Sequence, residues 1–412
     1  MLKFMAQNIF KRKIIDKINP FLSTNEIIVL HGARQVGKTF IMRYLKSFLD
    51  NKKETTHFID LEDSRFVRIL DAGVEEFIKY LKEEGFDPAL FNEQHKLFVF
   101  IDEIQYLAEP SPFLKLLADH HSQIKLIISG SSSFNIKQKF SDSLVGRTVD
   151  FEIFPLCFEE FLMFRGEHFD PKHIYTAKKR DELLSLYEDY ILAGGYPKIV
   201  LTAQKIMQEK YLQQIIDTYV KKDIRDLAEI KDINKFNRLL EILASQSGQL
   251  LNVVELANTL GVMKPTVERY LFLLEQTYII RLVRPYSANL RSELSKTPKI
   301  FFYDSGLMQM LWLKELPKEI LGAVFETGIF SELVKKYGSE KIYHWRTQDK
   351  KEIDFILRKG RSLLPIEAKL NFNQFQPTAF NYFKDKYHIK DGKVVGLRGE
   401  AKEDFFVYPW QL

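Results

Sequence analysis

Residues 32–39 read Gly-Ala-Arg-Gln-Val-Gly-Lys-Thr, and this short segment constrains the fold more than any other part of the chain. It fits the pattern G-x-x-x-x-G-K-[ST], in which glycines let successive backbone N–H groups turn inward around phosphate oxygens. An apolar run, Ile27–Leu30, precedes it, and an apolar-periodic segment follows from Thr39 to Leu49. The pattern therefore predicts a strand, a phosphate-binding loop and a helix, the beginning of a P-loop nucleotide-binding domain.

Each residue of this loop has an expected role toward ATP. The Lys38 ammonium is expected to reach the β- and γ-phosphates, and the Thr39 hydroxyl is expected to bind a Mg²⁺ ion. The helix that begins at Lys38 adds its positive dipole end. The residues expected to line the phosphates with their backbone are Gly32, Ala33, Arg34, Gln35, Val36 and Gly37.

Two acids follow another apolar run, Lys96–Ile101. Asp102 is expected to hold the Mg²⁺ ion through its water shell, and Glu103 to orient and polarise the attacking water. A phosphoryl transfer to a small substrate does not need such a carboxylate. The acid pair therefore favours ATP hydrolysis.

Two other positions leave alternatives open. Ser129 and Ser131 are both candidates for contacting the γ-phosphate, and Ser131 is included in the predicted nucleotide site; capping the next helix is the alternative role. Arg147 is a candidate arginine finger, acting in its own chain or in a neighbouring subunit, and the alternative is a surface arginine. Action on a neighbour would require a homo-oligomer.

The pattern along the chain predicts an α/β fold. Five short apolar runs alternate with helical segments in the first third, which predicts a parallel sheet with helices on both faces. They are Ile27–Leu30, His57–Leu61, Leu97–Ile101, Leu126–Ser129 and Val149–Phe154. We divide the chain into a P-loop ATPase domain (1–165), a helical connector (166–235), a winged helix (236–305) and a C-terminal α/β domain (306–412).

The expected winged helix rests on two short helices, Val253–Leu260 and Pro265–Thr277, followed by strands at Ile279–Val283 and Lys299–Tyr303. Its basic and polar residues are candidates for contacting double-stranded DNA: Lys264, Thr266, Arg269, Arg281, Arg284 and Arg291. Glu268 and Glu275 would repel the DNA backbone, so contact with a protein partner is the alternative.

The last hundred residues contain a possible second site. Asp354 lies on one strand pattern, and Glu367 and Lys369 lie on one face of the next strand pattern. Two carboxylates and a lysine at this spacing resemble the PD-(D/E)xK nuclease core, where carboxylates hold a metal ion. Glu326 lies on the preceding helix, where many such enzymes carry another acid. The alternative is a set of ion pairs without nuclease activity.

Composition places few limits on function. The net charge is only +5, which permits contact with nucleic acid without arguing for it. A single cysteine, Cys157, excludes an intramolecular disulfide and favours a reducing, cytoplasmic setting. No segment has the apolar length of a membrane helix, and residues 1–16 lack the apolar centre of a signal peptide.

Taken in order, the motifs resemble one family almost throughout the chain: prokaryotic AAA-type ATPases that carry a C-terminal domain of unknown function, DUF4143. The matching segments are 31–39, 100–105, 129–132, 146–147, 154–161, 194–197, 222–226, 352–355 and 366–369. The resemblance implies an AAA-type ATPase domain, a winged helix and a nuclease-like C-terminal fold. It implies no particular biological role.

Three functions are therefore compatible with the sequence. The first is an ATPase whose hydrolysis drives or times action on DNA or on a partner. The second is a switch that binds ATP, hydrolyses it slowly and changes the affinity for a partner. The third is an ATP-regulated, metal-dependent DNA nuclease. Asp102 and Glu103 favour the first of these over the second.

Overall fold

The chain forms two compact units, Met1–Phe154 and Pro155–Leu412. The computed structural model describes residues 10–130, 144–170, 175–223, 232–287 and 297–412. The predicted finer division at residues 165, 235 and 305 stays a prediction. Within the described ranges, no helix is long and apolar enough to cross a membrane.

The first unit contains a five-stranded parallel sheet. Its strands are β1 (Ile27–His31), β2 (Thr55–Asp60), β3 (Leu97–Asp102), β4 (Ile124–Gly130) and β5 (Thr148–Glu152). They lie side by side in the order β2-β3-β4-β1-β5. Every residue of β1, β3 and β4 is buried, as expected for central strands covered on both faces. All five strands end within two residues of the predicted runs.

Helices surround this sheet in sequence order: α1 (Ile14–Ile18), α2 (Lys38–Asn51), α3 (Ser64–Asp71), α4 (Val74–Glu83) and α5 (Pro110–His120). Helix α2 buries Ile41, Met42, Leu45 and Leu49, which lie on one face because of their helical spacing. The predicted P-loop NTPase fold class is confirmed, because α2 directly follows the loop after the inner strand β1. We call the edge where β1, β3 and β4 end the carboxyl edge.

The second unit begins with helices and a two-stranded antiparallel hairpin. The described helices before the hairpin are α6 (Phe158–Phe164), α7 (Ala177–Ala193), α8 (Pro197–Val200), α9 (Lys205–Ile215), α10 (Ile233–Ser245), α11 (Val253–Leu260) and α12 (Lys264–Gln276). The hairpin pairs β6 (Ile280–Val283) with β7 (Lys299–Phe302). This succession agrees with the elements expected of the winged helix, whose function stays a prediction.

A second sheet ends the chain. After α13 (Ser305–Leu313) and α14 (Gly322–Tyr337) come β8 (Ile342–Arg346), β9 (Glu352–Lys359), β10 (Ser362–Asn371), α15 (Pro377–Tyr387), β11 (Lys393–Arg398) and β12 (Phe406–Val407). The strand order is β12-β11-β10-β9-β8. Strand β9 carries Asp354 and β10 carries Glu367 and Lys369, as the sequence predicted, whereas β11 and β12 were not predicted.

The motif Gly194-Gly195-Tyr196-Pro197 has a packing role in the second unit. A Cβ atom on Gly195 would lie 2.3 Å from the carbonyl oxygen of Leu156. The buried carboxylate of Asp304 accepts a hydrogen bond from the Gly195 N–H at 2.7 Å. The close approach leaves no room for a side chain at this position. This segment is therefore a point of dense packing.

Candidate functional site

The loop between β1 and α2 follows a path that only glycine permits at two points. At Gly32, a Cβ atom would lie 2.1 Å from the carbonyl oxygen of Ile153, which comes directly after β5. Gly37 has a φ of 96°, in the left-handed region that glycine enters without strain. The two glycines of the motif are therefore explained by a backbone contact and by a backbone conformation.

Lys38 is buried at the start of α2, with 5% of its surface exposed. Its ammonium donates hydrogen bonds to the carbonyl oxygens of Gly32 at 3.0 Å and Ala33 at 2.9 Å. Burial lowers the pKa of Lys38 to about 8, while the negative charges of Glu103 and Asp102 oppose this shift. The loop thus holds a desolvated cation within the field of both predicted acids.

Asp102 and Ser129 lie side by side at the carboxyl edge. Strands β3 and β4 are parallel, with Ile101 beside Ile128. The Ser129 hydroxyl donates a hydrogen bond to Asp102 Oδ1. Asp102 is 2% exposed and Ser129 is fully buried. Of the two candidate serines, Ser129 is therefore at the acid pair, while Ser131 lies outside the described residues.

Glu103 has an unusual backbone conformation for a residue other than glycine, with a φ of 57°. Its N–H lies 3.2 Å from Asp102 Oδ1 and 3.3 Å from Ser129 Oγ. Its carboxylate accepts a hydrogen bond from the Gln105 side-chain amide. Left-handed residues of this kind persist where the surrounding contacts hold them, often at functional sites. Gln105 thus orients the carboxylate that the sequence singled out.

Two further acids at this edge were missed by the sequence analysis. Asp60 ends β2 beside Asp102, and it accepts a hydrogen bond from the Glu62 N–H at 3.0 Å. Burial raises the pKa of Glu62, and the charges of Asp60, Glu103 and Asp102 raise it further. The available signal was that Asp60 ends a strand of the same parallel sheet.

Arg12 holds the phosphate-binding loop from outside the motif. Its guanidinium donates hydrogen bonds to the carbonyl oxygens of Val36 at 3.0 Å and Phe154 at 2.9 Å. Arg12 is buried, with 7% of its surface exposed. A buried guanidinium with two carbonyl partners restrains both segments. No sequence signal pointed to this arginine, because it lies far from the motif along the chain.

The structure places Arg147 away from the phosphate-binding loop of its own chain, which corrects the prediction that it acts there. The Arg147 carbonyl accepts a hydrogen bond from the N–H of Ile27, so it lies where β1 begins. The loop follows the other end of β1, about 13 Å away at roughly 3.3 Å per residue. The guanidinium pairs with Asp119 at 2.6 Å. Because the strand length separates it from the loop, only the role in a neighbouring subunit stays a prediction.

The four residues of the possible second site come together in the second unit. Asp354 lies on β9, Glu367 and Lys369 lie on β10, and Glu326 lies on α14. The Lys369 ammonium is 2.8 Å from Asp354 Oδ2 and 2.6 Å from Glu367 Oε2. Asp354 Oδ2 also accepts a hydrogen bond from the Ala368 N–H at 2.9 Å.

A second lysine, Lys299 on β7, completes this cluster and was missed by the sequence analysis. Its ammonium is 2.6 Å from Glu352 Oε1, 3.2 Å from Glu326 Oε1 and 4.0 Å from Asp354 Oδ1. The signal was a lysine heading an otherwise apolar strand. We call the ion-pair cluster the set Lys299, Glu326, Glu352, Asp354, Glu367 and Lys369.

The predicted second metal site stays a prediction. Across the described parts of the chain, no group of three or more His, Cys, Asp or Glu side chains is arranged to hold a metal ion. The ammonium groups of Lys299 and Lys369 lie among the carboxylates. In this structure Glu326, Asp354, Glu367 and Lys369 all take part in ion pairs, as in the alternative that the sequence left open.

The carboxylates of the ion-pair cluster titrate differently from one another. Burial raises the pKa of Glu326 to about 7, and the charge of Asp354 adds to this shift. Burial acts the same way on Asp354, but the ammonium groups of Lys369 and Lys299 outweigh it and lower the pKa. Burial and the Asp354 charge raise the pKa of Glu367. Asp354, between the two lysines, is therefore the one of these three carboxylates whose pKa is lowered.

Models of known families match the regions that contain the phosphate-binding loop and the acids of the ion-pair cluster. Residues 24–162 match the model of the AAA domain, and residues 321–411 match that of a domain of unknown function, DUF4143. We refer to the two matched segments as the AAA domain and the DUF4143 domain. Between them, residues 184–319 match another domain of unknown function, DUF8612, which the sequence analysis did not predict.

Similar proteins span nearly the same length. An uncharacterized protein of Haemophilus influenzae is 26% identical over 96% of this chain and 94% of its own. One of Methanocaldococcus jannaschii is 27% identical over 88% of this chain and 79% of its own. A solved structure, the Walker-type ATPase PABY2304 of Pyrococcus abyssi, is 16% identical with a TM-score of 0.49, over 74% of this chain and 97% of that one.

The Arg12 contact in the AAA domain leads to a testable expectation. We expect Arg12→Met to weaken ATP binding about tenfold or more, because methionine removes both guanidinium hydrogen bonds, and each hydrogen bond from a charged donor contributes about 1.5–3 kcal/mol. Arg12→Lys should recover part of the affinity, since one of the two carbonyl contacts can re-form. Calorimetric titration with ATP and Mg²⁺ measures both variants.

Arg147→Met is the matched control for Arg12→Met, because it removes an arginine from the opposite edge of the same sheet. It should bind ATP as the wild type does. Unchanged ATP affinity in Arg12→Met, with the protein folded, would contradict the positioning role.

The raised pKa of Glu326 predicts how the stability of the DUF4143 domain depends on pH. Its folded value of about 7 lies above the ordinary 4.5, so the folded state holds the proton more tightly than the unfolded chain does. Glu326 therefore makes its full contribution to the free energy of unfolding below about pH 4.5, and this contribution is lost as the pH rises through about 7. Between about pH 5 and pH 8, we expect the free energy of unfolding of Glu326→Gln to rise by about 2 kcal/mol relative to that of the wild type.

Urea denaturation at several pH values measures this difference in the free energy of unfolding. Glu400→Gln is the control, since the Glu400 side chain is 81% exposed, and its pH profile should follow the wild type. If the free energies of unfolding of Glu326→Gln and wild type change in parallel with pH, the raised pKa of Glu326 is contradicted.

Proposed function

We propose that the AAA domain binds ATP with Mg²⁺ and hydrolyses it to ADP and phosphate. The observation that carries the proposal is the position of the Lys38 ammonium, buried against two loop carbonyls and within the field of Glu103 and Asp102. A P-loop lysine and an acid pair at one edge of a parallel sheet are the parts that ATP hydrolysis requires.

Binding uses charges that the loop already holds in place. The Lys38 ammonium gives up its contacts with the carbonyls of Gly32 and Ala33 in exchange for phosphate oxygens. Because the ammonium is already desolvated, its attraction to an anion is stronger than that of an exposed lysine. The N-terminus of α2 adds partial positive charge from its unpaired N–H groups.

The oxygen atoms near the loop suit a Mg²⁺ ion. A hydroxyl on Thr39 and a carboxylate on Asp102 are hard oxygen donors of the type that Mg²⁺ takes together with water and phosphate. Ser129 and the Glu103 N–H fix the orientation of Asp102. When bound, Mg²⁺ supplies positive charge to the phosphate oxygens.

Hydrolysis needs a group that accepts a proton from water. The Glu103 carboxylate, oriented by Gln105, accepts it while the water oxygen bonds to the γ-phosphorus. The bond between that phosphorus and the bridging oxygen of ADP breaks, and its electron pair leaves with ADP. Lys38 stabilises the negative charge during this step.

The test combines binding and turnover. Calorimetric titration with ATP and Mg²⁺ should give one site per chain, and phosphate release should follow enzyme concentration and stop when EDTA removes the metal ion. Binding without phosphate release over hours would favour the slow switch. Absence of binding at millimolar ATP would overturn the proposal as a whole.

For the segment expected to be a winged helix, the described charges favour a protein partner over duplex DNA. Lys264 pairs with Glu268 at 3.3 Å, and Arg281 pairs with Glu340 at 2.8 Å. These pairings reduce the positive charge available for phosphates. The exposed residues Val254, Met263 and Phe272 are apolar, at 55%, 75% and 51% exposure. Arg291 lies outside the described residues.

We therefore propose that ATP hydrolysis serves a protein partner of this segment. The phosphate-release assay distinguishes the alternatives when duplex DNA is added at low salt. The turnover rate should stay within about twofold of its value without DNA. Strong stimulation that disappears at high salt would favour the DNA-acting ATPase.

A further inference from the structure

The ion-pair cluster places two lysines among four acids: Lys299 is buried, and Lys369 is half-buried. Lys299 is 3% exposed, and its ammonium contacts Glu326 and Glu352 and lies 4.0 Å from Asp354. Burying an ammonium in an apolar setting is costly unless carboxylates surround it. The carboxylates that would hold a metal ion in a nuclease-like site are here the partners of a lysine.

Asp354 is the residue on which a metal site would depend, and both of its oxygens face ammonium groups. Oδ2 lies 2.8 Å from the Lys369 ammonium and also accepts the Ala368 N–H, while Oδ1 faces Lys299. A divalent ion between these carboxylates would meet the Lys299 ammonium at close range. The residues present therefore do not fit a metal ion in this arrangement.

The backbone of β7 keeps Lys299 in place. Lys299 pairs with Val283 on β6 and forms a bridge with Leu250. On the neighbouring residue, the Ile300 N–H donates to the Gln249 carbonyl at 3.1 Å, and the Ile300 carbonyl accepts from the Gly248 N–H at 2.7 Å. The backbone at Lys299 is thus held from both sides, which fixes the point from which the side chain extends.

We propose that Lys299 takes the place of a divalent cation in the DUF4143 domain. Its ammonium neutralises Glu326, Glu352 and Asp354 and fastens the β6–β7 hairpin to α14 and β9. The cluster is a permanent structural lock, and the domain does not cleave DNA with a metal ion. The lock also joins two family segments, since Lys299 falls in the DUF8612 match and the acids fall in the DUF4143 match.

The experiment measures Mn²⁺ binding to nucleotide-free protein by calorimetry, which needs no enzymatic activity. We expect wild type and Asp354→Asn to give the same titration, because Asp354 is not available as a ligand. Lys299→Met removes the ammonium that lies between Glu326, Glu352 and Asp354. It should gain about one Mn²⁺ per chain, with an affinity roughly tenfold or more above wild type, and Asp354→Asn in that background should abolish the gain.

Lys314→Met is the matched control, since Lys314 pairs with Glu241 on the surface of the same unit, with its side chain 55% exposed. It should bind Mn²⁺ as the wild type does. Saturable Mn²⁺ binding in the wild type that Asp354→Asn removes would overturn the proposal, as would a folded Lys299→Met without a gain. If Lys299→Met does not fold, the comparison of wild type with Asp354→Asn still shows whether Asp354 binds Mn²⁺.

Discussion

Replacing Glu103 with glutamine is expected to lower the rate of ATP turnover by roughly 100- to 10,000-fold, the usual contribution of a positioned general base. Glutamine keeps the size of the side chain and can still contact Gln105, but it does not accept the proton of the attacking water. ATP should bind with unchanged or higher affinity and remain intact in the site. Phosphate release and the identity of the bound nucleotide after gel filtration measure the two effects.

Glu62→Gln is the matched control for Glu103→Gln, because it removes one negative charge from the same edge of the sheet. Its turnover should stay within about threefold of wild type, since general-base chemistry needs a group within hydrogen-bond reach of the water. Near-normal turnover in Glu103→Gln would remove Glu103 from its proposed role and leave ATP binding untouched.

Replacing Lys38 with alanine is expected to weaken ATP binding by roughly 100-fold or more. Two charge-assisted hydrogen bonds to phosphate are lost at about 1.5–3 kcal/mol each, and each 1.4 kcal/mol corresponds to about tenfold in affinity. Turnover should fall with binding. Calorimetric titration with ATP and Mg²⁺ gives the affinity, and thermal unfolding without nucleotide reports whether the fold is intact.

Lys46→Ala is the control for Lys38→Ala, because Lys46 lies on the same helix and pairs with Asp50 at 2.8 Å. It should bind ATP as the wild type does. Burial lowers the pKa of Lys38, so the ammonium is costly in the nucleotide-free protein, and Lys38→Ala should not lower the unfolding temperature much. Wild-type affinity in Lys38→Ala would refute the binding mode itself.

The two variants, Lys38→Ala and Glu103→Gln, are expected to affect different steps because the two residues lie in different parts of the site. Lys38 belongs to the loop after β1 and is proposed to act in binding, whereas Glu103 follows β3, two strands away, and is proposed to act in the chemical step. A protein with both variants should behave as Lys38→Ala does, because a group that acts only after binding has no effect when binding is lost. The slow switch would show the Lys38 effect without the Glu103 effect.

Local sequence was sufficient wherever a feature depends on neighbouring residues. The loop at residues 32–39 was predicted from its glycines and lysine because backbone conformation and helix initiation are short-range effects. The five strands of the first unit were located from apolar runs, since strands buried on both faces are apolar throughout. Asp102 and Glu103 were found because they end such a run.

Features that join distant segments depended on the tertiary structure. Ser129 was placed beside Asp102 by the register of β3 and β4, and Arg147 was placed at the far edge of the sheet by the parallel pairing of β1 with β5. Arg12 reaches Val36 across the fold. No local pattern carries this information, because strand order and register follow from burial of the whole sheet.

The two halves of the protein differ in what sequence alone determined. In the AAA domain, a contiguous motif defines the site, so the residues themselves were enough to locate the nucleotide loop and its acid pair. In the DUF4143 domain, the sequence located the acids and Lys369, but only the tertiary structure brought Lys299 among them. The proposed role of that lysine is to pair with the carboxylates in place of a metal ion, because its ammonium already supplies positive charge among them.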